Sequence, residues 1–284
     1  MRTGIVRPRL FSVVLTALLA VAACSGDAVS TAPKPPIPPI PPIPNVGLKD
    51  IVLSNLPSPY YHLEYDESGR ISVVSFASGL TNYDVKYVGG RLSEMQNNIF
   101  VNHDRLTYAY DGAGRVREVD YLDGTGAVFT RVHFTYGGAK LIGTERERRT
   151  ATGFVVDKTV AFSYDADDNL FERTEHLLPI AGVQDDATFV DRYEQYDKGI
   201  NVDGFGLFHD EFFDHLFLLP GVQLQKGNPR KETRSGDGLN FTVSYTYFYD
   251  GQSRPLTKNG DLSILNGANA GQHVQISSVF SYYN

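Results

Sequence analysis

Tyr65-Asp66-Glu67-Ser68-Gly69-Arg70-Ile71 and Tyr110-Asp111-Gly112-Ala113-Gly114-Arg115-Val116 are two copies of one heptad of features, and the reading of that heptad decides the fold. Ahead of such a copy, apolar and polar residues alternate, as in Leu106-Thr107-Tyr108-Ala109-Tyr110, which sets aromatic and aliphatic side chains on one face of a β-strand. The aspartate bonds its own following backbone and starts a turn. The glycine supplies the positive φ of a type I turn with a bulge, and the basic residue opens the returning strand. Each heptad is therefore the tip of a β-hairpin.

Weaker copies stand at Tyr87-Val88-Gly89-Gly90-Arg91-Leu92, Tyr136-Gly137-Gly138-Ala139-Lys140-Leu141, Tyr164-Asp165-Ala166-Asp167-Asp168-Asn169-Leu170 and Tyr249-Asp250-Gly251-Gln252-Ser253-Arg254-Pro255-Leu256. Tyr65, Tyr87, Tyr110, Tyr136 and Tyr164 are spaced by 22, 23, 26 and 28 residues, which suits one hairpin per repeat. In the Tyr164 copy, which lacks glycine, Asp168 or Asn169 takes the left-handed position. Further turns fall at Asp123-Gly124-Thr125-Gly126 and Thr150-Ala151-Thr152-Gly153, so the stretch from Tyr60 to about His176 reads as a nearly continuous meander.

Downstream, Phe241 to Tyr249 and Val274 to Tyr283 resume the strand pattern. Between them and the repeats, Phe205, Phe208, Phe212, Leu216 and Leu219 recur at spacings of 3, 4, 4 and 3, which predicts an amphipathic helix over 205–219, ended by Pro220-Gly221. The expected fold is mainly β: a long antiparallel meander of about fifteen strands, curled or closed into a barrel-like sheet, with one amphipathic helical insert plugging it or packing on its core. A membrane-inserted barrel is disfavoured, because Lys140, Glu145, Arg146, Glu147, Arg148 and Arg149 charge both faces of one strand.

The chain starts differently. Arg2, Arg7 and Arg9 precede an apolar run, Leu10 to Val21, too short to span a bilayer as a mature helix. Ala22-Ala23-Cys24 follows, and Cys24 is the only cysteine, so no internal disulfide is available. Residues 1–23 read as a signal peptide and Cys24 as a lipidation site. Residues 24–45 read as a stalk, since Pro33-Lys34-Pro35-Pro36-Ile37-Pro38-Pro39-Ile40-Pro41-Pro42-Ile43-Pro44 forms neither helix nor sheet and favours polyproline II. Residues 46–284 read as one β-domain. Cleavage before Cys24 removes three arginines and no acids, taking the formal charge from −7 to −10 and arguing against nucleic acid as a partner.

The segment ending in Cys24 resembles the lipobox of bacterial lipoproteins, and Ser25 resembles the non-Asp residue that permits sorting to the outer membrane. The turns between Tyr65 and Leu256 resemble the Tyr-Asp repeats of Rhs-type proteins, with fewer copies than an Rhs shell. In layout the chain resembles a family of uncharacterised bacterial lipoproteins whose domain is described as porin-like. The acylated cysteine, the Pro-rich stalk, the Tyr-Asp hairpins, Tyr196-Asp197-Lys198, and an apolar insert leading to Gly227-Asn228-Pro229 carry that resemblance. It implies architecture and an envelope location, and no activity.

No Gly-x-Ser-x-Gly elbow, His-Glu-x-x-His helix, phosphate loop or Rossmann glycine pattern occurs, and no catalytic residue is assigned. Asp165 to Asn169 lacks the glycine and the twelfth-position glutamate of a calcium loop. His209 and His215, six positions apart, do not share a helical face, so no metal and no cofactor is expected. The expected function is non-catalytic. It is either a binding module presenting Tyr65, Tyr108, Tyr110 and Tyr164 to a glycan or surface protein, or an envelope scaffold without a small ligand. In both readings acylated Cys24 provides the membrane contact.

Overall fold

The computed structural model describes residues 47–99, 103–208 and 216–283. Cys24, the segment 1–23 and the Pro-rich stretch 24–45 lie outside the described residues. Sixteen antiparallel strands follow one another in space in the order they follow in sequence, and pairing of the first with the last closes a barrel. They are β1 (Leu48–Leu53), β2 (Tyr61–Tyr65), β3 (Ile71–Phe76), β4 (Thr81–Val88), β5 (Arg91–Asn97), β6 (Arg105–Tyr110), β7 (Val116–Leu122) and β8 (Val128–Gly137). The circuit continues through β9 (Lys140–Thr150), β10 (Gly153–Tyr164), β11 (Leu170–Leu177), β12 (Ala187–Glu194), β13 (Lys231–Gly236), β14 (Phe241–Tyr249), β15 (Pro255–Ile264) and β16 (His273–Tyr282).

The Tyr-Asp hairpins β2–β3, β4–β5, β6–β7, β8–β9, β10–β11 and β14–β15 all turn at one end of the barrel, here the near end. Gly47 and Tyr283 meet at the same end, where the Tyr283 amide donates to the Gly47 carbonyl at 2.7 Å. The β12–β13 connection also lies at the near end, and the odd-to-even connections, from β1–β2 to β15–β16, form the far end. In the Tyr164 turn it is Asp168 that takes the left-handed conformation, at φ 67°.

Alternation along the strands sorts the side chains cleanly. Inward-facing Leu63, Val74, Tyr83, Met95, Leu106, Val119, Val132 and Val243 belong to the buried set. Their outward neighbours carry charge: Lys86 bonds Glu94 at 2.7 Å, Arg131 bonds Asp120 at 2.6 Å, and Arg192 bonds Glu172 at 2.8 Å. The outer wall thus mixes ion pairs with exposed Phe154 and Phe248, unlike the continuous apolar band of a lipid-embedded barrel.

A sixteen-stranded barrel is wide enough to leave an aqueous channel unless something fills it. The described parts of the long β12–β13 connection, 195–208 and 216–230, pack into the lumen at the near end. The helix expected over 205–219 is not shown among the described residues. Gly204–Leu207 makes one 3-10 turn, 216–219 has no regular structure, and 209–215 lie outside the described residues. The reason is enclosure. Leu216, Phe217, Leu218 and Leu219 are consecutive and all buried, whereas a one-sided helix would bury only a stripe of them. Wall groups replace the missing helical hydrogen bonds: the Tyr108 hydroxyl donates to the Leu218 carbonyl at 3.0 Å, and the Leu170 amide to the Leu224 carbonyl at 2.8 Å. The Phe217 ring packs between Phe205, Phe76 and Tyr61, with centroids 3.9, 5.3 and 5.6 Å away. Full burial of each such side chain contributes about 1.5–3 kcal/mol.

Candidate functional site

At the near end the turn heptad is a clasp between successive repeats. Within one repeat, Asp66 accepts the amides of Ser68 and Arg70 at 2.9 Å and the Arg70 Nε at 2.8 Å. The side-chain bond from Arg70 is the main cause that holds the Asp66 carboxyl below its ordinary pKa. Asp111 with Arg115 and Asp250 with Arg254 repeat the arrangement.

Between repeats, a tyrosine reaches back to the strand that leaves the preceding turn. Tyr65 donates to the Leu48 carbonyl (2.8 Å), Tyr87 to Ile71 (2.9 Å), Tyr110 to Leu92 (2.7 Å), Tyr136 to Val116 (2.9 Å), and Tyr164 to Leu141 (2.6 Å). The basic residue of the preceding turn lies over that ring: Arg70 over Tyr87 at 4.6 Å, Arg91 over Tyr110 at 5.3 Å, Arg115 over Tyr136 at 4.7 Å, Lys140 over Tyr164 at 5.0 Å. Burial pushes the phenols of Tyr65, Tyr87, Tyr110 and Tyr164 up to about 12. Three of the tyrosines proposed from sequence as binding aromatics, Tyr65, Tyr110 and Tyr164, therefore belong to this ring of clasps. The fourth, Tyr108, faces the lumen and holds the insert. None of the four is gathered with the others into a surface strip.

The far half of the lumen is different. Inward-facing residues there are partly open to solvent: Leu53, Val155, Leu177, Phe189, Phe241, Leu262 and Ile276 are half-buried, and Val274 is 43% exposed although its strand partner Leu262 points inward. This mouth is lined along β9–β13 by ionised side chains arranged as two Arg–Asp–Arg triads. In the first, Asp157, fully buried at a β10 bulge, accepts Arg146 Nε at 2.9 Å and Nη2 at 3.0 Å, and Arg148 Nε at 2.9 Å. In the second, Asp191 accepts Arg173 Nη1 at 3.1 Å, and Arg234 Nε at 2.6 Å and Nη2 at 2.8 Å.

Each triad has one buried guanidinium and one that reaches water: the side chains of Arg148 and Arg234 are 42% and 32% exposed, against 8% and 4% for Arg146 and Arg173. Arg173 also pairs with Glu175. Arg234 lies between Phe189 and Phe241, 5.8 and 5.5 Å from the ring centroids. Beside it, Glu232 accepts from the Tyr245 hydroxyl at 2.7 Å, and burial pushes its carboxyl above the ordinary range. Among the described residues no cluster of three metal-ligating side chains occurs.

A closed antiparallel barrel with a charged outer wall, a plugged near half and an open, charged far half is the class of protein this fold defines. Two solved structures share the barrel fold. One is a porin-like protein from Bacteroides uniformis ATCC 8492, 11% identical, with a TM-score of 0.55 over 78% of this chain and 89% of that one. The other is a porin-like protein from Bacteroides vulgatus ATCC 8482, 16% identical, with a TM-score of 0.52 over 78% and 92%. No family model matches the sequence, and no curated protein does. The likeness establishes the porin-like fold and no activity.

Proposed function

We propose that this protein is a non-catalytic, envelope-tethered binding module that takes a glycan in the far mouth of its barrel. The observation that carries the reading is the mouth itself, where half-exposed Arg148 and Arg234 face the lumen and Arg234 stands between the rings of Phe189 and Phe241. Planar aromatic faces beside fixed polar forks suit a ligand that is apolar on its ring faces and polar at its edges. The charged outer wall supports a barrel held at a membrane surface, not within it. Acylation of Cys24, with residues 24–45 as spacer, would supply the hold, and the outer membrane would be the site.

Two measurements test this. Full-length protein applied to an array of neutral and acidic saccharides should retain at least one class, and retention of none would remove the binding reading. Cys24→Ala should move the protein from the membrane fraction to the soluble fraction, and unchanged partitioning would remove the tether.

A further inference from the structure

We infer that the mouth recognises an anionic polysaccharide, with Arg148 and Arg234 each taking one acidic group; this rests on the glycan reading above. Both inward-facing arginines are anchored by a buried carboxylate, Arg148 through Nε and Arg234 through Nε and Nη2, and part of each side chain stays exposed. Arg146 already compensates Asp157, so Arg148 is the surplus cation of the first triad; in the second, Arg173 and Arg234 together balance Asp191 and Glu175. Inward-facing ionisable side chains on β9–β13 comprise Arg146, Arg148, Lys158, Arg173 and Arg234 against Asp157, Glu175, Asp191 and Glu232. Burial holds Glu232 toward its neutral form. A positive surplus inside a chain of net charge −7 focuses the field on the mouth and favours anions there over the rest of the surface.

Spacing selects the kind of anion. Arg148 is on β9 and Arg234 on β13, four strand steps apart in the barrel order, or roughly 19 Å along the wall at the usual strand separation. One carboxylate or phosphate cannot bridge them. A chain carrying an acidic group every few sugars can; an intervening ring would lie against Phe189 on β12, and a ring beyond Arg234 against Phe241 on β14.

The test is binding of full-length protein to polygalacturonate, dextran sulfate and neutral dextran by affinity electrophoresis and calorimetry. The expected result is retention by one or both acidic polymers, weakening with added salt, and none by neutral dextran; which acidic polymer binds distinguishes carboxylate from sulfate recognition. Arg148→Gln and Arg234→Gln should each weaken binding about tenfold, the loss of one charge-assisted contact. Arg148→Lys should lose less, and Arg192→Gln on the outer wall should change nothing. Melting curves confirm that each variant is folded, and the wild-type comparison of polymers stands even where a variant is not. Equal binding of neutral dextran, or undiminished binding by folded Arg148→Gln/Arg234→Gln double variant, overturns the inference and leaves the glycan reading in place. No binding to any saccharide overturns both.

Discussion

The near and far halves of the barrel solve one problem in opposite ways. The sixteen-stranded wall encloses more volume than its own side chains can fill. In the near half the chain fills the space with its own β12–β13 connection, and Leu216, Phe217, Leu219 and Leu224 disappear from solvent among the wall residues. In the far half no comparable segment enters among the described residues, and the wall presents guanidiniums and carboxylates fixed in triads. The difference teaches where rigidity comes from. The near half is held by apolar burial, which is tolerant of geometry, and the far half by ion pairs, which are stable only while every charge keeps its partner.

The sharpest way to break this comparison is to remove the hub of a triad. Asp157→Ala leaves Arg146 buried without its counter-charge and should cost about 3–5 kcal/mol in urea unfolding, whereas Arg148→Gln, which removes the exposed arm, should cost under about 1 kcal/mol. If both cost the same, the triad is not organised around its carboxylate. In the near half, Leu219→Ala should cost about 3 kcal/mol as a cavity, and the loss should be the same at low and high salt, unlike that of Asp157→Ala.

Alkali should act on the near half first. The unfolded chain ionises tyrosine near 10, while Tyr65, Tyr87, Tyr110 and Tyr164 hold their protons to about 12 in the folded barrel. Their contribution is complete below pH 10 and is lost as pH rises through 12. Unfolding followed together with tyrosinate absorbance should therefore show one coupled transition in that window, and ionisation well before unfolding would contradict the clasp. Tyr136→Phe should cost about 1 kcal/mol, one hydrogen bond to the Val116 carbonyl. The smallest effect should come from Arg115→Lys, a few tenths of a kcal/mol, because charge over the Tyr136 ring is kept while the fork to Asp111 is lost.

Much of the wall was legible in the residues. Asp, Gly and Arg at fixed offsets place the hairpin tips, and period-two alternation says which side chains face in. Consecutive hairpins then pair with their neighbours, which is why the meander and its closure could be anticipated. The insert misled because 3–4 spacing of apolar residues describes a segment with one buried side, while this one is enclosed on all sides. The second half of the heptad was only half readable. That aspartate and glycine make a turn is local physics, but that the basic residue stacks on the tyrosine of the next repeat, 17 to 24 positions on, depends on the register of the strands between them. The triads left a signal that was read for its negative content only. Charges on both faces of 140–149 disfavour lipid contact, yet Glu145 and Glu147 point out while Arg146 and Arg148 point in to Asp157 on β10, and the second triad gathers Arg173, Asp191 and Arg234 from three further strands. Sequence distance hides such a constellation completely.

The direction of the clasps has a consequence for how the molecule is made. Each tyrosine bonds a carbonyl that lies earlier in the chain, 16 to 23 residues back from Tyr65 through Tyr164. A newly emerged hairpin thus finds its docking partner already synthesised, and the wall can grow in the order of translation with little loop-closure cost at each step. Only the seam is different. Ser281 bonds Asp50 across 231 residues and Tyr283 bonds Leu63 across 220, so the first strand must wait with an open edge until the last has been made.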